Sequence, residues 1–196
     1  NRAITDQFEP GSTMKPLTMI AALESGKYHP GMTIDTSPGY IRVGRKTFRD
    51  HSNYGLLSLG GVITKSSQVG TTKIALSLEP NAIRDVFVRA GLGQSLGTGF
   101  PGESIGRLPA PRKWSDVARA NFAFGYGLSV TPLQLARAYS VIAAGGVERP
   151  ITLLRARETR QEKQVYERES VAELITMMRT VTQPGGTAVR AAIKGY

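Results

Sequence analysis

The sequence predicts an α+β fold, rich in helix with a few antiparallel strands. Three observations predict it. Apolar residues recur at helical spacing in several segments that carry recognisable start and stop signals. Short strand-like runs lie between turn residues. Helical and extended segments alternate along all 196 residues, with no internal repeat and no low-complexity linker. That length fits one domain or a piece of one.

In chain order, residues 12–25 read as a helix that begins after Pro10-Gly11 and ends at Gly26. Met19, Ile20 and Leu23 form its apolar stripe, and Pro16 sits in the first turn, where a missing N–H does least harm. Residues 40–43 and 47–49 flank Gly44-Arg45-Lys46 as a hairpin. Residues 56–63 read as a short helix, interrupted by Lys65-Ser66-Ser67-Gln68, after which residues 69–78 resume a helical pattern. Pro80 opens another helix, with Ile83, Val86, Phe87 and Ala90 on one face and Gly91 as its stop. Residues 91–115 are Gly/Pro-rich and read as loop. Thr131-Pro132-Leu133-Gln134 has the form of a capping box, leading through Leu135, Ala138, Tyr139 and Ile142 to Gly145-Gly146. Ser170-Val171-Ala172-Glu173 reads as a second capping box, leading to Pro184-Gly185-Gly186. Between these helices, residues 151–154 and 164–166 read as strands.

Composition excludes several classes. With no Cys there is no thiol nucleophile, disulfide or thiolate zinc site. No apolar run approaches the roughly 18–20 residues of a membrane span. The chain opens on Asn1-Arg2-Ala3 without a Met or a signal peptide, so it reads as an excised segment with any anchor elsewhere. The net charge of +10 invites a nucleic-acid reading. The bases are scattered, however, and the densest stretch, 155–168, is broken by Glu158, Glu162 and Glu167, as on a solvated face. His29 and His51 sit beside turn residues and suggest no metal site. Asp50 and Asp116 show no carboxylate partner for glycosidase chemistry, and Trp114 reads as a core or loop anchor.

The residues that carry chemistry are Ser12 and Lys15. One helical turn apart, they share a face. A Ser hydroxyl is a poor nucleophile until a base takes its proton. Lys is that base only when its pKa falls, which burial and the positive end of a helix both promote. The free N–H groups of the same helix end favour an oxyanion. The spacing alone leaves two readings open. With fourteen Ser and eight Lys in the chain, chance predicts on the order of 0.6 such Ser-x-x-Lys matches, and one is present. Ser12 as a helix cap and Lys15 as a surface residue is the alternative. The polar gap Ser66-Ser67-Gln68 favours the first reading, because a second hydroxyl near Lys15 could return a proton to a leaving amine. A solvated turn between helices is the alternative there.

The stretch Asn1-Arg2-Ala3-Ile4-Thr5-Asp6 and then Glu9-Pro10-Gly11-Ser12-Thr13-Met14-Lys15-Pro16 resembles the transpeptidase domain of division-type class B penicillin-binding proteins. Further segments agree in order: Lys65-Ser66-Ser67-Gln68-Val69-Gly70, Gly91-Leu92-Gly93, Phe100-Pro101-Gly102-Glu103, Phe124-Gly125-Tyr126-Gly127-Leu128, the run from Thr131 to Tyr139, Pro184-Gly185-Gly186-Thr187, and Ile193-Lys194-Gly195-Tyr196. The resemblance covers essentially the whole chain. It implies the penicilloyl-serine transferase fold, helices around an antiparallel sheet, with residues 1–196 a partial transpeptidase domain. It implies a D,D-transpeptidase that cross-links peptidoglycan stem peptides at the division septum, in cell-wall synthesis, cell division and cell shape. Ser12 would be acylated, Lys15 its base, and Ser66 the relay to the departing D-Ala. Gln68 and Tyr126 would bind substrate. The substrate would be the D-Ala-D-Ala end of a stem peptide, β-lactams would acylate Ser12, and no cofactor or metal is implied. The location would be the periplasmic face of the bacterial inner membrane, with a septal glycosyltransferase and other division proteins as partners.

Two departures stand out. The family's Ser-x-Asn reads Ser66-Ser67-Gln68 here, and its Lys-Thr/Ser-Gly strand is missing, so the natural protein is expected to continue beyond Tyr196. Two rival readings remain: a β-lactamase or penicillin sensor, which shares Ser-x-x-Lys but needs a residue that activates water, and a non-catalytic basic binding module. Gln keeps the amide of Asn and adds a methylene. We therefore expect Gln68→Asn to alter the order of acylation rates across a panel of β-lactams. Identical rates in parent and variant would count against any role for position 68 in acylation.

Overall fold

The computed structural model describes residues 1–110, 113–154 and 161–194. Of the segments singled out above, Gly195-Tyr196, residues 111–112 of the Gly/Pro-rich stretch and residues 155–160 of the basic stretch lie outside these. Eight α-helices are described: α1 (Arg2–Thr5), α2 (Lys15–Glu24), α3 (Leu59–Thr64), α4 (Gln68–Ser77), α5 (Ala82–Arg89), α6 (Asp116–Ala123), α7 (Pro132–Ala143) and α8 (Arg168–Arg179). Six strands form three antiparallel pairs: β1 (Thr33–Asp35) with β4 (Leu56–Ser58), β2 (Tyr40–Val43) with β3 (Lys46–Arg49), and β5 (Val147–Glu148) with β6 (Lys163–Gln164). The α+β expectation holds. Among the described residues the antiparallel component consists of these pairs and of single bridges from Phe8 to Val130 and from Arg107 to Ser129.

At the centre is α2. Every residue from Lys15 to Leu23 is buried, so it has no solvent face, as expected of a helix apolar on all sides. It packs against α4, α5 and α8. Met14, Leu17, Ile20, Phe87 and Leu174 meet in the main core. A smaller apolar cluster of Val43, Phe48, Ala120 and Phe124 joins hairpin β2–β3 to α6.

The signals that depend on local hydrogen bonds are well matched. The capping box at Thr131 forms in both directions, Gln134 N donating to Thr131 Oγ1 at 3.1 Å and Thr131 N to Gln134 Oε1 at 2.9 Å. Hairpin β2–β3 pairs Val43 with Lys46 across Gly44-Arg45, with Gly44 at φ +56°. Gly91 follows α5 as a stop at φ +85°.

Five readings are corrected. The helix read over 12–25 starts as a 3-10 turn at Gly11–Met14 and becomes α-helical at Lys15. Residues 56–63 split: Leu56 and Leu57 pair with β1, and Ser58 then caps α3 by accepting from Gly61 N at 3.0 Å. Alternation betrays the strand, Leu56 being 70% exposed and Leu57 only 9%. The second capping box does not form. α8 begins earlier, at Arg168, where Glu167 N is tied to Glu24 Oε1 at 2.9 Å, and Ser170 lies inside the helix. Residues 151–154 form no strand, and Leu153 and Leu154 are exposed. In the second of those strand readings, 164–166, only Gln164 is in a strand, while Val165 and Tyr166 donate to Gly146 O. α1, β1, β5 and α6 were not read at all. α6 had a legible start in Ser115, whose Oγ accepts from Ala118 N at 3.2 Å.

The turn before α2 is held by backbone contact. Gly11 N donates to Gly125 O at 3.2 Å. A Cβ on Gly125, whose φ is +83°, would stand 2.7 Å from Gly11 N and closer still to its carbonyl oxygen. Phe8 and Val130 exchange two hydrogen bonds at 3.0 Å, and Gly127 N donates to Glu9 Oε1 at 2.9 Å. Thr18 Oγ1 reaches Ala123 O at 2.6 Å. Residues 8–18 are thus fastened to residues 123–130. Gly125→Ala combines positive φ with a clash against backbone, so a loss of about 2 kcal/mol or more is expected in a urea titration. An unchanged midpoint would mean that the two turns can separate freely.

Candidate functional site

Ser12 lies in the 3-10 turn and Lys15 is the first residue of α2. Three residues complete one 3-10 turn, so these side chains stand on one edge. Lys15 N donates to Ser12 O and closes that turn. Tyr139 of α7 holds the other side, its OH donating to Thr13 O at 2.8 Å. Ser12 is exposed at the surface of the turn, whereas Lys15 is only 3% exposed.

The Lys15 ammonium is directed inward at Ser66. Its Nζ donates to the Ser66 carbonyl oxygen and to Ser66 Oγ, the latter at 2.9 Å. Ser66 is the one non-glycine residue of positive φ among the described residues, at +51°. That conformation costs on the order of 1 kcal/mol or more. It turns both the carbonyl and the hydroxyl toward the amine between α3 and α4. Burial pushes the Lys15 amine down to about 8, opposed by the negative charge of Asp50.

Asp50 is the residue that sequence reading missed. It ends the segment after β3 and caps α4 from outside. Its Oδ1 accepts from Gln68 N at 2.6 Å and Val69 N at 3.0 Å, and its Oδ2 from Ser67 Oγ at 2.6 Å. Ser67 Oγ in turn accepts from Gly70 N at 2.8 Å. One carboxylate therefore sets the first turn of α4, where negative charge is favourable, and lowers the cost of the buried ammonium. The sequence signal was faint: a lone acid after a hairpin, with nothing to say which helix it meets.

Ser12, Lys15 and Ser66 line one cleft of about 380 Å³, walled also by Thr13, Tyr139 and Thr187. Thr187 N donates to Thr64 O at 3.2 Å and Lys65 Nζ to Gly185 O at 2.7 Å, which brings the Pro184-Gly185-Gly186-Thr187 turn to this wall. Gln68 and Tyr126 lie elsewhere. Both face a neighbouring hollow of about 550 Å³ between hairpin β2–β3 and α6, and no hydrogen bond among the described residues joins the Gln68 side chain to Lys15. The expected set thus divides, three residues in the cleft and two beside it.

The other candidates have structural partners. Trp114 Nε1 donates to Asn81 Oδ1 at 3.1 Å and its ring lies on Phe122, so it anchors the loop before α6. Asp116 pairs with Arg119 one turn on, at 3.6 Å. Among the described residues no group of three or more His, Cys, Asp or Glu side chains is placed to hold a metal ion.

An exposed hydroxyl, a buried amine of lowered proton affinity and a second hydroxyl bonded to that amine can together form and break an acyl ester. The family model for the penicillin binding protein transpeptidase domain matches residues 1–196. The chain is 42% identical over its whole length to the peptidoglycan D,D-transpeptidase FtsI of Escherichia coli, covering 33% of that protein. It is 36% identical to a probable peptidoglycan D,D-transpeptidase, PenA, of Neisseria gonorrhoeae, again across the whole chain and 33% of the relative. The chain therefore spans about a third of the length of these curated relatives. Among solved structures, the transpeptidase domain of Burkholderia pseudomallei penicillin-binding protein 3 superposes with a TM-score of 0.95 at 39% identity, over all of this chain and 60% of that one. The crystal structure of a peptidoglycan glycosyltransferase from Burkholderia ambifaria also gives a TM-score of 0.95, at 40% identity, over all of this chain and 63% of that one. The match runs the full length of the chain in sequence and in backbone, and this chain belongs to the family of penicillin-binding protein transpeptidase domains.

Proposed function

We propose that the protein carrying this chain is a serine D,D-transpeptidase that joins peptidoglycan stem peptides through an acyl-Ser12 intermediate. The observation that carries the reading is the buried Lys15 amine, bonded to Ser66 and opening on the same cleft as Ser12. Unprotonated Lys15 takes the proton of Ser12 Oγ as that oxygen attacks the carbonyl of the penultimate D-Ala. The peptide C–N bond breaks, and the proton passes from Lys15 by way of Ser66 Oγ to the departing D-Ala amine. An acceptor amine then attacks the ester, the amide forms, and its proton returns to Ser12 Oγ. A β-lactam enters by the first step and stays, because its leaving amine remains tethered. The reading also takes in work at the septum with a glycosyltransferase and other division proteins, on the periplasmic face of the inner membrane. No helix among the described residues is long and apolar enough to cross a membrane.

Intact mass spectrometry of the full-length protein with penicillin tests the chemistry. The parent is expected to gain one penicilloyl group that persists for hours, and Ser12→Ala none. An adduct retained in Ser12→Ala would end the assignment of the nucleophile, and loss within milliseconds would indicate a hydrolase.

The Lys15 amine also sets the pH dependence. Only its neutral form accepts a proton, and burial holds the pKa at about 8. Acylation should therefore rise about tenfold per pH unit below that point and level above it. Asp50 favours the ammonium. Asp50→Asn keeps the shape and removes the charge, so the midpoint of the profile should move to lower pH. Asp50→Ala also removes three hydrogen bonds and should lose about 2 kcal/mol or more of stability. A midpoint unmoved in a folded Asp50→Asn protein would refute the electrostatic link.

A further inference from the structure

The hollow beside the cleft has a composition of its own. Lys46 and Asn121 are its polar pair, Phe48, Trp114 and Tyr126 contribute aromatic walls, and Gln68 stands at its edge. Resting on the acyl-transfer reading above, we propose that this hollow receives the second substrate, the amine-bearing stem peptide, and holds one of its carboxylates at Lys46.

Continuity with the cleft is the first argument. Gln68 opens α4 two residues after Ser66, and Tyr126 follows Gly125, which is bonded to Gly11 beside Ser12. The Gln68 edge of the hollow is thus two residues from the Ser66 wall of the cleft, and its Tyr126 edge follows the turn bonded to Gly11.

The second argument is charge. Hairpin β2–β3 carries Arg42, Arg45, Lys46 and Arg49, all exposed, and among the described residues none has an ion-pair partner. Lys46 is the member that lines the hollow. Its Nζ donates to Asn121 Oδ1 at 2.7 Å and lies 5.1 Å from the centre of the Phe48 ring. An ammonium has three donors, so two remain for a carboxylate. On acylation the donor peptide loses its last residue and with it its terminal carboxylate. The acceptor keeps its own, so a cation set apart from Ser12 matches the second substrate and not the acyl-enzyme.

Size and wall chemistry agree. A volume of about 550 Å³ falls within the range of small-ligand sites, which combine apolar walls with a few placed polar groups. The Gln68 amide has no side-chain hydrogen-bond partner among the described residues and can pair with a peptide group at the rim. Gln68 lines the hollow, and no hydrogen bond among the described residues joins its side chain to Lys15.

The test uses the full-length protein, a thioester donor and a synthetic stem peptide as acceptor, with penicillin acylation measured in parallel. Lys46→Ala should raise the acceptor KM about tenfold, Lys46→Glu more, and Lys46→Arg by no more than about threefold. Penicillin acylation should stay within about twofold in all three. With the unmodified protein, an acceptor whose carboxylates are amidated should show a similarly raised KM, a measurement independent of how the variants fold. An unchanged KM in Lys46→Glu, or equal KM values for the free and amidated acceptors, would overturn the proposal while leaving Ser12 acylation intact. Failure of the parent to form a Ser12 adduct would instead remove the acyl-transfer reading, and this inference with it.

Discussion

The site depends on one buried amine. Lys15 begins a helix with no solvent face, and burial takes most of its charge out of bulk solvent. What remains is the carbonyl and hydroxyl of Ser66 and, at longer range, Asp50. A buried ammonium with few partners gives up its proton more readily than an exposed one. The property that makes Lys15 a usable base is thus the same property that makes its position costly to the fold.

The neighbouring structure offsets that cost. Ser66 is held in left-handed backbone by α3 before it and α4 after it. Asp50 secures the start of α4 through three hydrogen bonds. On the other side, the Gly11–Gly125 contact and the Phe8–Val130 bridge hold the turn that presents Ser12. The Asp50, Gly11–Gly125 and Phe8–Val130 connections join residues distant in sequence, so the cleft forms only when the described core is assembled.

Legibility in the sequence followed the range of the forces involved. The capping box at Thr131, hairpin β2–β3 and the stop at Gly91 rest on contacts within a few residues, and they were readable. The failures lay where distant partners overrode local preference. Leu56 and Leu57 became strand because β1 was there to pair with them. Helix α8 began at Arg168 because Glu24 captured the Glu167 N–H, bypassing the better cap at Ser170. In the site, Ser12, Lys15 and Ser66 were legible as residue types in a pattern. Asp50 was not, because its partners are 17 to 19 positions away. Gln68 and Tyr126 were legible as members of a motif, but their separation from Lys15 was not.

The sequence by itself determined the chemistry on offer: a hydroxyl and an amine one turn apart, a polar break between two helices, and no thiol. These are properties of residue identity and short spacing, which survive in any conformation of the chain. Only the tertiary structure decided that the amine is buried, that it faces Ser66, and that one carboxylate supports both the helix start and the charge. Proton affinity is set by solvation and by neighbours in space, and neither exists until helices from distant parts of the chain have closed around Lys15.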